Sequence, residues 1–222
     1  MIIEKSTLTF LKDLRKNNNR DWFKSNKPRY EAAKDNVEEF LDALIAKVAK
    51  FDPSIAHHTG KSVMFRIYRD VRFSKDKSPY KTHFGAHVSG AEKKSDIHSK
   101  AGYYIHIGAG DSMIAGGAYM PQGPWIKNIR ASIDTDPKEF KKIINKKVFK
   151  ETFGDIEGDQ LKTAPKGYPK DHPEIELLRH KSYHVAHGCS DKIVLDKGFL
   201  AHATKVCKTL YPFDEWLNDR TG

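Results

Sequence analysis

"GYYIHIGAGDSMIAGGAYM", residues 102–120, decides the architecture. It holds two short runs of aromatic and β-branched residues, with glycines between them. Such runs read as antiparallel strands joined by a tight connection. "HFGAHVS", residues 83–89, has the same texture. The glycines raise the question of a phosphate cradle. Neither GxGxxG nor GxxxxGK[ST] is present and the stretch opens no helix, so they are assigned to turns or close packing.

Helical periodicity lies on both sides of this block. Phe10, Leu11 and Leu14 have helical spacing behind a cap at Ser6 or Thr7, and the asparagines of "KNNNRD" end that helix. From Pro28 to Phe51 the apolar positions Tyr30, Ala33, Val37, Phe40, Leu41, Leu44, Ile45 and Val48 recur every three or four residues. Beyond the block, Trp125, Ile126 and Ile129 predict one helix, and Phe140, Ile143, Ile144 and Val148 another with its lysines outward. A helix near Glu174–His180, a strand "SYHVAH", and helices near Phe199–Leu210 and Phe213–Leu217 close the chain. The expected fold class is α+β, a central antiparallel sheet of short strands flanked by N-terminal and C-terminal helices. One domain is expected over residues 1–222. It has a helical segment at 1–52, a strand block at 61–120, and a mainly helical part at 121–222 with a Pro/Gly-rich loop at 154–173.

Lys and Arg number 39 against 29 Asp and Glu, a net charge of +10. Two windows hold the whole surplus. Seven Lys/Arg face two Asp between Lys61 and His83, and six lysines face Glu139 alone between Lys138 and Lys150. A concentrated positive field captures anions. Apolar runs are too short to span a bilayer, and "MIIEKSTLTFLKDLRK" lacks the core of a secretory signal, so a cytoplasmic protein without a membrane partner is expected. Cys189 and Cys207, far apart and without CxxC pairing, read as reduced thiols.

The first window contains "RIYRDVRFSKDKSPYKTHFG", residues 66–85. Val63, Phe65, Ile67, Val71 and Phe73 alternate with polar partners, which predicts an extended strand. A strict strand would put Arg69 on the apolar side, an expensive position without an anionic partner. A bend at Arg69–Asp70 avoids that cost and lets Arg66, Arg69 and Arg72 converge. The turn through Pro79 swings Lys77 and Tyr80 over the same face, with Lys81 and His83 next. Guanidinium forks and ammonium groups suit a phosphate or carboxylate. Asp70 orients an arginine, or serves as a base if desolvation raises its pKa, and His83 is the more natural proton carrier. The contrasting reading is a set of ion pairs with no chemical role.

The pattern Arg66-x-x-Arg69-Asp70-x-Arg72-Phe73-x-x-x-Lys77-x-x-Tyr80 resembles the signature of a bacterial family of conserved hypothetical proteins, domain of unknown function 2461. "NNNRDWFKSNKPRYE" and "GGAYMPQGPWIKNIR" resemble family segments too. The resemblance implies that Arg66, Arg69, Asp70, Arg72, Lys77 and Tyr80 act as a unit. It names no activity.

Three functional readings follow. The first is a pocket for a small phosphate- or carboxylate-bearing ligand, lined by Arg66, Arg69, Arg72, Lys77, Tyr80 and Lys81. Arg20 extends it if its turn docks nearby, and Asp70 and His83 are candidate acid–base groups should the protein be an enzyme. The second is a nucleic-acid module using both basic windows. The third is a structural arginine–carboxylate network. Trp22 either floors a pocket or seals the turn between helices. Lys166, Lys170, Arg179, His180, Lys181 and Tyr183 belong either to a loop that closes over an anion or to a proline-stiffened surface loop. His83 and His87 share a strand face, but no HExxH or CxxC accompanies them, so neither a metal nor a cofactor is expected. Self-association is left open.

Overall fold

The computed structural model describes residues 2–91 and 98–221. Residues 92–97, a part of the strand block expected at 61–120, lie outside the described residues. Four strands form one antiparallel sheet in the order β1 (His83–Val88), β2 (Gly102–Gly108), β3 (Ser112–Ala118) and β4 (Tyr183–Cys189). Helices precede and follow it, so the fold is α+β. Sequence-adjacent strands are neighbours throughout; β2 and β3 are joined by a tight turn, whereas β3 and β4 are joined through the helices of residues 119–182. The chain divides into two compact units, one of Met1–Val88, Tyr104–Ile114 and Gly188–Lys205, the other of Ser89–Tyr103, Ala115–His187 and Val206–Gly222.

The first unit is built on α1 (Lys5–Lys16), α2 (Arg20–Ser25) and α3 (Lys27–Val48). Leu8, Phe10, Leu11 and Leu14 of α1 are buried, as are Val37, Phe40, Leu41, Leu44 and Val48 of α3. The caps differ from expectation at the start of α1. The helix begins one residue before Ser6, with Glu4 as N-cap. Asn36 of α3 accounts for this, because its Oδ1 accepts from the Glu4 amide at 3.0 Å and from Thr7 Oγ1 at 2.8 Å. Thr7 is therefore committed to helix–helix contact. Asn19 caps α2 by accepting from the Trp22 amide at 2.9 Å. Trp22 stacks on Phe10 with centroids 6.1 Å apart, which makes it the seal of the helix pair.

The stretch expected as a strand from Val63 to Phe73 is a different object. Gly60–Val63 is a short helix, α4, closed by a Thr59–Ser62 capping box. Beyond it the chain is extended, but it pairs only at isolated bridges, Met64 with Ala86 and Tyr68 with Tyr80. The Arg69 amide donates to Pro79 O at 2.9 Å, and there the pairing stops. Pro79 has no N–H to return the bond, so no ladder continues past it. Residues 70–78 leave as a loop, and Phe73, expected to share an apolar face, is 96% exposed.

The second unit packs α5 (Gly123–Thr135), α6 (Lys138–Ile144), α7 (Lys147–Phe153) and α8 (Ile175–Leu178) with the C-terminal part of α10 (Phe199–Asn218); α9 (Asp191–Val194) belongs to the first unit. Phe140 meets Trp216 and Phe213 at 4.4 and 5.8 Å between centroids. The single helix expected through Phe140–Val148 is broken at Asn145 and Lys146. Lys146 is extended at ψ 134. That break shifts the helical phase by one residue, so Val148 is 45% exposed and Phe149 is buried in its place. At the C-terminus the two expected helices are one, running through Pro212. A proline removes one helical hydrogen bond, and the buried Leu210, Phe213, Trp216 and Leu217 hold the helix together across it.

Glycines of β3 serve close packing, as expected. A Cβ on Gly116 would lie 2.2 Å from Leu210 Cδ2, and one on Gly117, at φ +113, would lie 2.2 Å from Tyr183 O.

Candidate anion-binding site

All residues of the first basic window belong to the first unit. The bend after Arg69 carries its guanidinium to Asp76 and Ser78, with Ser74 Oγ at 3.4 Å. Arg69 thus finds its anion within its own loop. The Asp76 carboxyl is pushed down to about 2 by hydrogen bonds from the Ser78 amide, Arg69 and the Ser78 hydroxyl. Arg72 grips Asp70 as a fork, Nε to Oδ1 at 3.0 Å and Nη2 to Oδ2 at 2.7 Å, with both side chains exposed. The Arg72 fork pushes the Asp70 carboxyl down to about 2. These hydrogen bonds outweigh the slight desolvation of Asp70, which orients an arginine. Lys77 donates to Val71 O at 2.9 Å, and Arg66 is exposed without a hydrogen bond or ion pair among the described residues.

Arg69 and Arg72 thus hold separate carboxylates, and of the three arginines only Arg69 lines a hollow. The structure gathers a different group. A hollow of about 560 Å³ is lined by Arg15, Asn18, Arg69, Asp76, Ser78, Tyr80, Lys81 and Thr82. Arg69, Tyr80 and Lys81 were expected there; Arg66, Asp70, Arg72, Lys77 and Arg20 do not line it. Arg15 and Asn18 come from the end of α1 and the turn after it. Asn18 accepts from the Tyr80 amide at 3.1 Å and donates to Tyr80 O at 2.9 Å, tying that turn to the strand entry. Nothing in the sequence marks these two residues, because the contact spans 62 positions. Tyr80 is buried with its ring stacked on Phe23, 4.0 Å between centroids and 13° from parallel. It walls the hollow through its packing.

The charges in the hollow are unequal. Arg15 pairs with Asp111 at 2.9 Å, and Arg69 with Asp76. Lys81 has no carboxylate partner among the described residues. Its ammonium lies over the Phe65 ring, 5.3 Å from the centroid. Burial, then the neighbouring Arg66 charge, push its pKa down.

His83, two residues on, stacks against His106 of β2 with centroids 4.0 Å apart. Burial, the His106 ring and the Lys81 charge push His83 down to about 4. His106 is lowered by burial as well, and its Nδ1 lies 3.4 Å from Tyr104 Oη. Its Nε2 is buried without a hydrogen-bond partner among the described residues. His106 lies in "YYIHI", where the sequence suggested only a strand.

Elsewhere some of the expected cations have partners. In the second basic window Lys141 pairs with Glu174 at 2.7 Å, Lys147 with Glu151 at 3.8 Å, and Lys150 with Asp155. Arg179 donates from Nε to Leu161 O at 2.7 Å, and Tyr183 is buried with its hydroxyl on Leu177 O at 2.8 Å. Cys189 and Cys207 are both buried and form no disulfide among the described residues. Among the described residues no helix is long and apolar enough to cross a membrane.

Fold and site together define an α+β protein with a cation-lined hollow beside a histidine pair. The chain belongs to the family of conserved hypothetical proteins DUF2461, matched over residues 6–216. No curated protein and no solved structure matches it.

Proposed function

We propose that this protein binds a small anion carrying a phosphate or carboxylate group in the hollow of Arg15, Arg69 and Lys81. One observation carries the reading: Lys81 is a half-buried cation with no carboxylate of its own among the described residues. A charge with little water around it attracts an incoming anion more strongly than an exposed one. Arg15 and Arg69, already neutralised, supply directed N–H donors. If the ligand is turned over, His83 is the group placed to move a proton.

Thermal stability measured against inorganic phosphate, acetate and nucleotides tests this. A ligand of the native state stabilises by RT ln(1 + [L]/Kd). The wild type should gain stability with at least one of these anions, and Lys81→Met should keep its fold and lose most of that response. An unresponsive wild type, or a fully responsive Lys81→Met, overturns the reading.

A second reading is supported by the exposed rings of Tyr68 and Phe73, which are 54% and 96% exposed beside Arg66 and Arg72. Rings next to guanidinium groups suit stacking on unpaired bases. Oligonucleotide affinity that falls steeply with salt would support it. Absence of binding at low salt would remove it.

A further inference from the structure

The His83–His106 pair adds a property to the hollow, and the inference rests on the anion reading above. We infer that anion binding at Lys81 is accompanied by uptake of a proton at the stacked imidazoles of His83 and His106, so that the site matches a dianion such as a terminal phosphate group.

Lys81 and Thr82 line the hollow, and His83 follows them directly at the start of β1, past a bend at Thr82. His106 stacks on His83 at 22° between planes. The charged and titratable groups that act on the His83–His106 pair are Lys81 just before β1, Tyr104 from β2, Asp111 from the β2–β3 turn, and Arg15 from α1. Arg15 and Asp111 pair with one another at 2.9 Å and largely cancel. The uncancelled charge is Lys81. It repels a proton from His83, and burial opposes that proton further.

An anion seated on Lys81 reverses this balance. It supplies the missing negative charge, and the nearest group able to respond is an imidazole. Two imidazolium rings at stacking distance would repel, so the pair takes up at most one proton. The hollow then offers two uncompensated positive charges in place of one. That favours a dianion over acetate or a phosphodiester, each of which carries a single negative charge. Linkage makes the effect reciprocal, since a proton that follows the anion must also tighten the anion.

Sulfate is the decisive probe, because its own charge stays fixed across the pH range of interest. Sulfate binding by calorimetry should tighten as pH falls from 7 to 5, by about threefold or more per unit toward the tenfold limit of one proton per ion. His83→Gln should flatten that dependence. Without ligand, the imidazole titrations followed by NMR should move to higher pH in Lys81→Met. Sulfate that binds with no pH dependence, a dependence that survives His83→Gln, or imidazole midpoints indifferent to Lys81→Met would each overturn the inference while leaving the hollow intact. If sulfate and phosphate both fail to bind at any pH, this inference fails, and if acetate and nucleotides fail as well, so does the hollow reading itself.

Discussion

The imidazole rings of His83 and His106 lie 4.0 Å apart, and burial holds both below the ordinary histidine range. Stability must therefore depend on pH. The unfolded chain protonates these rings near pH 6.5, whereas folded His83 does so only near 4. Between those values the unfolded state binds more protons, so folding stability is full above about 6.5 and declines as pH falls through the window. After allowance for the partial exposure of His83, the loss should be about 1–2 kcal/mol. Urea denaturation at pH 7, 5.5 and 4 measures it, and His83→Gln should be less sensitive than wild type.

Arg69 ties the 70–78 loop to itself through Asp76, Ser78 and Ser74. Arg69→Ala should lower stability by about 1–2 kcal/mol, because a partly buried set of acceptors loses its donor. It should also weaken the response to phosphate. Urea midpoints and thermal shifts read the two effects separately, and an unchanged urea midpoint would show that the loop holds by other means.

Arg72→Ala provides the contrast. The Asp70–Arg72 fork is exposed on both sides and lies outside the hollow. Exposed pairs contribute little. Neither the denaturation midpoint nor the phosphate response should move, and a loss of anion response would redraw the site around the expected arginine cluster.

Tyr80→Ala removes a buried ring stacked on Phe23. The expected cost is about 3 kcal/mol, from the cavity and the lost stack. Tyr80→Phe, which keeps the stack, should stay close to wild type in chemical denaturation.

Gly117 and Gly110 both have positive φ, +113 and +84, but only Gly117 meets backbone, with Tyr183 O 2.2 Å from a built Cβ. Gly117→Ala should cost about 3 kcal/mol or more, and Gly110→Ala about 1 kcal/mol. Equal losses in paired unfolding curves would contradict that difference.

Local rules carried well through regular elements. The spacing of Val37, Phe40, Leu41, Leu44 and Val48 predicts α3 because a helix that buries one face must repeat every three or four residues. The runs at 83–89 and 102–120 likewise predict β1, β2 and β3, since β-branched and aromatic residues suit a pleated surface. Where a single residue interrupts the pattern, periodicity misleads. Asn145 and Lys146 shift the phase so that Phe149 replaces Val148, and Pro79 stops a strand that alternation had extended to Phe73.

By itself the sequence determined the fold class and the position of the basic stretch. These follow from composition and near-neighbour spacing, which the chain carries locally. Only the tertiary structure decided which cations keep a partner. It gave Arg72 to Asp70 and Arg69 to Asp76, brought in Arg15 from α1 and Asn18 from the turn after it, and set His106 against His83. Neutralisation depends on distances between side chains that the chain order does not encode, and a few ångströms separate a paired charge from one left to meet a ligand.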